Sequence, residues 1–323
     1  MTNLLMILVS AKLFGKLAEC WKQPAVLGEL FGGVLLGTGV VSFFHPNDPG
    51  LSLAAEAGVI LLLLETGLDS DLKQLLKAGP VSFAVACVGV VLPFLLGVVV
   101  MRGLGHASLP AVLVGAALTA TSIGITARVL TDIGKLQTPE GQIILGAAVI
   151  DDILGIILLA VVQRQALSGP ASWGQAVGSV LIVGAFMTGI LLAQTPRKEK
   201  IHSFLKPAAG IFVPIFFVMV GAKVDLRPFN PFVAASAGLY GLVVLLIGVA
   251  VIGKLASGWA VWTKGVDRLS VGIGMIPRGE VGLIFAQVGL ASGVIQGPLY
   301  SALIAMVVVT TFITPPLLKK VLH

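Results

Sequence analysis

Charge is scarce in this chain. Only 11% of its 323 residues are Asp, Glu, Lys or Arg, where soluble domains carry roughly 25%, so a water-soluble globule is excluded. Cysteine is nearly absent: Cys20 and Cys87 both lie in or beside apolar segments, which excludes a disulfide framework and leaves thiol chemistry no footing. The histidines His45, His106, His202 and His323 fall in loops or at the end without ligand-like spacing, so no transition-metal site is implied. There is no nucleophile–base arrangement and no glycine-rich phosphate loop after a strand, which excludes the common enzyme classes and implies no cofactor. A net charge of +6 would suggest nucleic acid in a soluble chain, but here the placement of the charge decides its meaning.

Apolar surface is abundant. The chain is 57% hydrophobic, with a mean hydropathy of +1.04. Its partner is therefore a lipid bilayer, and the fold class is an all-α polytopic membrane protein. Forty glycines and seventeen prolines suit close helix packing and interrupted helices in lipid. Residues 1–20 are not read as a cleaved signal, because Lys12 and Lys16 interrupt the apolar run and no small-residue cleavage site precedes Trp21. Eleven spans follow from the apolar runs: 4–20, 25–43, 51–68, 80–101, 109–130, 141–162, 175–194, 207–225, 237–262, 269–292 and 298–318.

Alternate loops differ in basic residues. One set holds Lys22, Lys73, Lys77, Lys135, Arg197, Lys198, Lys200, Lys206, Lys264, Arg268, Lys319 and Lys320, the other only Arg102, Arg164 and Arg227. The positive-inside rule then places the N-terminus outside and the C-terminus in the cytoplasm. Trp259 and Trp262 close the ninth span as an interfacial belt would.

The chain also matches itself at an offset of about 155 residues. Gly28-x4-Gly33-Val-Leu-Leu recurs as Gly184-x4-Gly189-Ile-Leu-Leu, and Gly67-x3-Asp71-Leu as Gly221-x3-Asp225-Leu. The unit of repetition is five spans, an odd number, so the second copy enters the membrane inverted, the architecture of secondary transporters. The organisation read from this is an additional N-terminal span over 1–24, a first five-helix repeat over 25–162, a connector over 163–174 and an inverted repeat over 175–320. The fourth span of each repeat departs from an ordinary helix. One holds Leu118-Thr-Ala-Thr-Ser-Ile-Gly-Ile-Thr126, poor in helix propensity. The other holds Pro277 between glycines, with Arg278 and Glu280 at membrane depth. Both are predicted to be discontinuous, the best pointer to a transport site, although each hydroxyl alone could equally be packing glue.

Two adjacent acids, Asp151 and Asp152, sit in the middle of the apolar run 143–162. Even one carboxylate at the bilayer centre costs on the order of 3 kcal/mol, so the pair reads as an ion or proton site. A small hard cation needs oxygen ligands, which Asp151, Asp152, the hydroxyls of Thr121 and Ser122, and carbonyls freed by unwinding could supply. The cation and H⁺ would then compete for the same oxygens, and the two acids should titrate as a coupled unit.

Four stretches carry a resemblance: Ala120-Thr-Ser-Ile-Gly-Ile-Thr-Ala-Arg-Val-Leu130, Ile144-Leu-Gly-Ala-Ala-Val-Ile-Asp-Asp152, Gly253-Lys254, and Gly274-Met-Ile-Pro-Arg-Gly-Glu-Val-Gly-Leu283. With Gln23-Pro-Ala-Val-Leu-Gly-Glu29 they resemble the monovalent cation:proton antiporters, specifically bacterial Na⁺/H⁺ exchangers of the NapA type. The resemblance implies that the broken helices cross beside the acids, that Asp152 is the principal ligand of a monovalent cation, and that Asp151 pairs with Lys254 in an electrogenic exchanger. It also implies a homodimer. A lysine there could instead snorkel to the interface. Arg278, Glu280, Pro277 and Thr126 support the site rather than bind ion. Glu65 either lines the cation path or plays an interfacial role. Relatives carry two further spans between the Asp-Asp helix and the helix of Val183, where this chain has only the residues from Gln163 to Gly174. The function expected is Na⁺ (or Li⁺)/H⁺ antiport. A K⁺/H⁺ exchanger of the same fold, a non-transporting sensor or subunit, and lastly a channel are the alternatives.

Overall fold

The computed structural model describes residues 2–21, 23–37, 48–69, 79–166, 173–226, 229 and 236–322. His45, Asp71, His323 and the basic residues Lys22, Lys73, Lys77 and Arg227 lie outside the described residues. Every regular element among the described residues is helical. In order they are α1 (Thr2–Cys20), α2 (Ala25–Leu36), α3 (Pro49–Asp69), α4 (Gly79–Gly103), α5 (Ser108–Ala117), α6 (Ile123–Asp132), α7 (Pro139–Ala166), α8 (Trp173–Ala193), α9 (Lys198–Ala222), α10 (Ser236–Leu255), a 3₁₀ turn (Ala256–Ala260), α11 (Arg268–Gly274), α12 (Glu280–Ala291) and α13 (Gly297–Leu322). Six of the described helices are long and apolar enough to cross a membrane by length and composition.

Helix ends depart from the apolar runs where good helix formers carry charge. α9 begins at Lys198 rather than 207, because Lys and Glu extend a helix as readily as apolar residues do. His202 therefore sits in a helix, not in a loop. α7 runs on to Ala166 and α8 starts at Trp173, so part of the 163–174 connector is helical and residues 167–172 lie outside the described set.

Backbone contacts divide the chain into two compact units, each drawing on both halves of the sequence. The first comprises Met1–Leu72 and Pro170–Leu239. In it α1 packs on α2 and α9, while α3 lies between α8 and α9, with Ile7, Leu51, Ile215 and Met219 in its core. Two pairs of glycines let helices approach backbone to backbone, as Gly28 does against Phe14 of α1. A Cβ on Gly33 would strike the carbonyl of Val218, and one on Gly221 the carbonyl of Leu30, so α2 and α9 touch backbone to backbone. In the same way a Cβ on Gly67 meets the carbonyl of Phe186 and one on Gly189 that of Leu64, which joins α3 to α8.

The second unit comprises Lys73–Gly169 and Tyr240–His323. α7 packs against α4, α5, α6, α11 and α12, and α13 packs against α6, α11 and α12. Its core includes Val85, Leu130, Ile144, Val271, Met275 and Leu318.

Candidate functional site

In the second unit, two stretches read as single spans each contain a helix break. α5 ends at Ala117 and α6 starts after Ser122. α11 ends at Gly274 and α12 starts after Gly279. The breaks follow from the residues: Thr and Ser lose little by leaving a helix, and Pro277 cannot donate to a helical carbonyl. Each break leaves orphan amides and carbonyls that must find partners in a water-poor interior.

They find them in each other. The Ser122 amide donates to the Pro277 carbonyl at 2.8 Å. The Thr121 hydroxyl donates to Met275 O at 3.2 Å, and the Thr126 hydroxyl to Gly274 O at 2.8 Å. These two hydroxyls thus satisfy the C-terminal carbonyls of α11. Arg278 does the same for α5: its Nη1 donates to Thr119 O at 3.0 Å and Ala120 O at 3.1 Å. Its Nη2 reaches Ala250 O on α10 at 2.9 Å. A guanidinium is well suited here, because its planar fork reaches several carbonyls and its positive charge meets the negative end of the α5 dipole. Glu280, in the first turn of α12, puts negative charge at a helix N-terminus, the favourable end, and its carboxylate faces the Ser122 hydroxyl. Gly279 allows the crossing, since a Cβ there would lie 2.6 Å from the Ser122 Cβ.

Beside this crossing, α7 presents the two acids. Asp151 is fully buried and its Oδ2 accepts from Lys254 Nζ at 3.0 Å, the lysine being equally buried. Snorkelling is therefore not what Lys254 does. α10 comes close enough because Gly253 lies against Pro93 of α4, where a Cβ would be 3.0 Å from the proline ring. Asp151 Oδ1 and Arg278 Nε are buried with no hydrogen-bond partner. Asp152 is 5% exposed, and its charged neighbours are Glu280, Asp151 and Lys254. Three acids and two bases meet here, so with all five ionised the cluster carries one surplus negative charge. A single monovalent cation or a single proton neutralises it.

The structure thus brings together Asp151, Asp152, Thr121, Ser122, Thr126, Lys254, Pro277, Arg278 and Glu280. Glu65 belongs to the other compact unit, where its charged neighbours are His202, Asp69 and Lys206; His202 Nε2 lies 3.9 Å from Asp69 Oδ1. Two participants were not singled out by the sequence. Ala250 contributes only a carbonyl, which every residue has. Thr311 donates its hydroxyl to the Arg278 carbonyl at 2.6 Å, and its only sequence signal is a cluster of threonines in an apolar helix.

The model of the transmembrane sodium/hydrogen exchanger family matches residues 5–183 and 169–322. The high-affinity Na⁺/H⁺ antiporter NhaS3 of Synechocystis sp. is 38% identical over 99% of this chain and 89% of its own length. That alignment runs over 409 positions, more than the 323 residues here, so NhaS3 carries residues without a counterpart in this chain. The Na⁺/H⁺-K⁺ antiporter GerN of Bacillus cereus is 33% identical over 97% of this chain and 94% of its own length. The solved structure of the sodium proton antiporter MjNhaP1 from Methanocaldococcus jannaschii shares the fold, with a TM-score of 0.66 at 15% identity over 98% of this chain and 95% of that one. Matched by the family model along nearly its whole length, the chain belongs to the sodium/hydrogen exchanger family.

Proposed function

We propose that this protein is a secondary active transporter, not an enzyme, which exchanges Na⁺ or Li⁺ for H⁺ by alternating access. The observation that carries the reading is the charge balance at the crossing. Lys254 answers Asp151 and Arg278 answers carbonyls, which leaves Asp152 beside Glu280 in a buried site short of one positive charge. Burying an unpaired charge is expensive, so an occupied or protonated site changes sides more readily than an empty one. Competition of Na⁺ and H⁺ for the Asp152 oxygens is then sufficient for antiport. Thr121 and Ser122 keep hydroxyl lone pairs for the cation while donating elsewhere. Displacement of the Lys254 proton on cation binding would make exchange electrogenic. Na⁺/H⁺ antiport is also the activity for which NhaS3 and GerN are named.

The architecture in this reading is eleven membrane segments in two inverted five-segment repeats, with the two interrupted segments equivalent. The glycine contacts support it. Under the sequence repeat Gly33 corresponds to Gly189 and Gly67 to Gly221, and that exchange turns the Gly33–Gly221 contact into the Gly189–Gly67 contact, as a two-fold relation requires. Overlap of the two family-model segments at 169–183 supports the loss of two central spans there. The second compact unit would act as the moving core and the first as scaffold, in a homodimer in the bacterial plasma membrane with its N-terminus outside.

The test is reconstitution in liposomes with an imposed pH gradient. Added Na⁺ should collapse the gradient, and Asp152→Asn should abolish the response while the protein stays monodisperse. An Asn variant as active as wild type sinks the site assignment. K⁺ is the second reading, favoured by the name of GerN; parallel runs with Na⁺, Li⁺ and K⁺ decide between them.

A further inference from the structure

α13 carries three buried threonines within five residues, Thr310, Thr311 and Thr314. Two of the hydroxyls bond within their own helix: Thr310 donates to Met306 O at 2.8 Å and Thr314 to Thr310 O at 2.7 Å. This is the usual fate of a threonine in an apolar helix. Thr311 differs. Its hydroxyl leaves α13 and donates to the backbone carbonyl of Arg278 at 2.6 Å, inside the break between α11 and α12.

That carbonyl needs a partner from elsewhere, because residues 276–279 are not helical. The neighbouring carbonyls of the break have theirs: Gly274 from Thr126, Met275 from Thr121 and Pro277 from the Ser122 amide. Those donors all come from the opposite broken segment. Thr311 ties the backbone of the break to a continuous helix, whereas the Arg278 guanidinium reaches α10 through its side chain. The residue it holds is also the one whose guanidinium bridges the α5–α6 break, at the Thr119 and Ala120 carbonyls, to α10 at Ala250, four residues before Lys254. A fixed Arg278 backbone therefore fixes the guanidinium, and next to it the start of α12 with Glu280.

We infer that Thr311 is a positioning residue of the cation site, which anchors the α11–α12 break to α13 and thereby sets where Arg278 and Glu280 stand relative to Asp151 and Asp152. The inference rests on the antiport reading for its kinetic test, but the anchor can be measured without it. Thr311→Val keeps the shape and removes the donor, stranding a buried acceptor.

The experiment compares wild type, Thr311→Val, Thr311→Ser and Thr310→Val in liposomes, with Na⁺ as the varied substrate. The half-saturating Na⁺ concentration of Thr311→Val should rise about tenfold, the equivalent of one lost hydrogen bond of about 1.4 kcal/mol, with the maximal rate within about twofold. Thr311→Ser, which keeps the hydroxyl, should restore wild-type half-saturation, and Thr310→Val should match wild type. An unchanged half-saturation in Thr311→Val, or an equal loss in the Val and Ser variants, overturns the inference. Hydrogen exchange of peptides covering 275–283 is measured on the same detergent-solubilised proteins. Faster exchange is expected in Thr311→Val only, and equal rates would overturn the anchor. Should wild type transport no cation, the antiport reading fails and the exchange data alone decide on Thr311. If Thr311→Val cannot be purified, Thr311→Ala is read by the same criteria.

Discussion

Lys254→Met removes a charge from a pair in which neither side chain touches solvent. Asp151 would then have lost the donor to Oδ2, while its Oδ1 already has none. Breaking a buried ion pair from one side costs about 3–5 kcal/mol, whereas replacing both partners by neutral groups is often near neutral. Two features hold the cost below the top of that range. Arg278 is within electrostatic reach of Asp151, so the carboxylate is not wholly uncompensated. A stranded carboxylate can also take up a proton, which costs an ordinary aspartate about 4 kcal/mol at pH 7. That escape sets a ceiling near 4 kcal/mol, and the ceiling falls by about 1.4 kcal/mol per unit of acidification. The assay is thermal unfolding in detergent of wild type, Lys254→Met, Asp151→Asn and the double variant, at pH 7 and pH 5. Both single variants should melt lower than wild type, and the double should recover more than half of the summed loss, a coupling of about 3 kcal/mol or more. The deficit of Lys254→Met should shrink at pH 5. Strictly additive single effects at pH 7 would refute a buried ion pair between these two residues.

Close backbone approach in the first unit makes Gly33→Ala and Gly67→Ala overpacking substitutions, each expected to lower stability by about 1–3 kcal/mol. Gly124→Ala, with nothing within 4 Å of the new Cβ, should change melting little and serves as the control. Asp267 caps α11 through the amides of Leu269 and Ser270, so Asp267→Ala should cost about 1 kcal/mol. The Ser270 hydroxyl, followed by these amides, holds the Asp267 carboxyl below its usual range. Its contribution is therefore fully present above the ordinary aspartate range and is lost as pH falls through the lowered value. A melting deficit of Asp267→Ala that persists undiminished below pH 3 would contradict the cap.

Much of this arrangement was legible beforehand, and for identifiable reasons. The breaks around Ala120 and Pro277 announce themselves through low helix propensity and a missing amide, both local properties. The Asp151–Lys254 pair was legible only through resemblance, because nothing local to Lys254 distinguishes a buried partner from a snorkelling chain. Helices run past the apolar stretches at Lys198 and Ala166 because hydropathy reports the apolar slab, not the hydrogen-bonded helix that continues past it. Thr311 stayed hidden among neighbouring threonines whose hydroxyls turn back on their own helix.

By itself the amino-acid order determined a helical membrane chain, the repeated glycines and the acids in the middle of an apolar helix. Those outcomes depend on transfer energies and propensities that act residue by residue. Tertiary structure alone decided which charges meet and which carbonyls are answered. Lys254 and Asp151 are 103 residues apart, and Arg278 is held by Thr311 and holds Thr119, Ala120 and Ala250 through backbone oxygens that every residue carries. In an interior without water, each such group takes whatever partner the packing brings within 3 Å or so, and only the folded chain specifies which one that is.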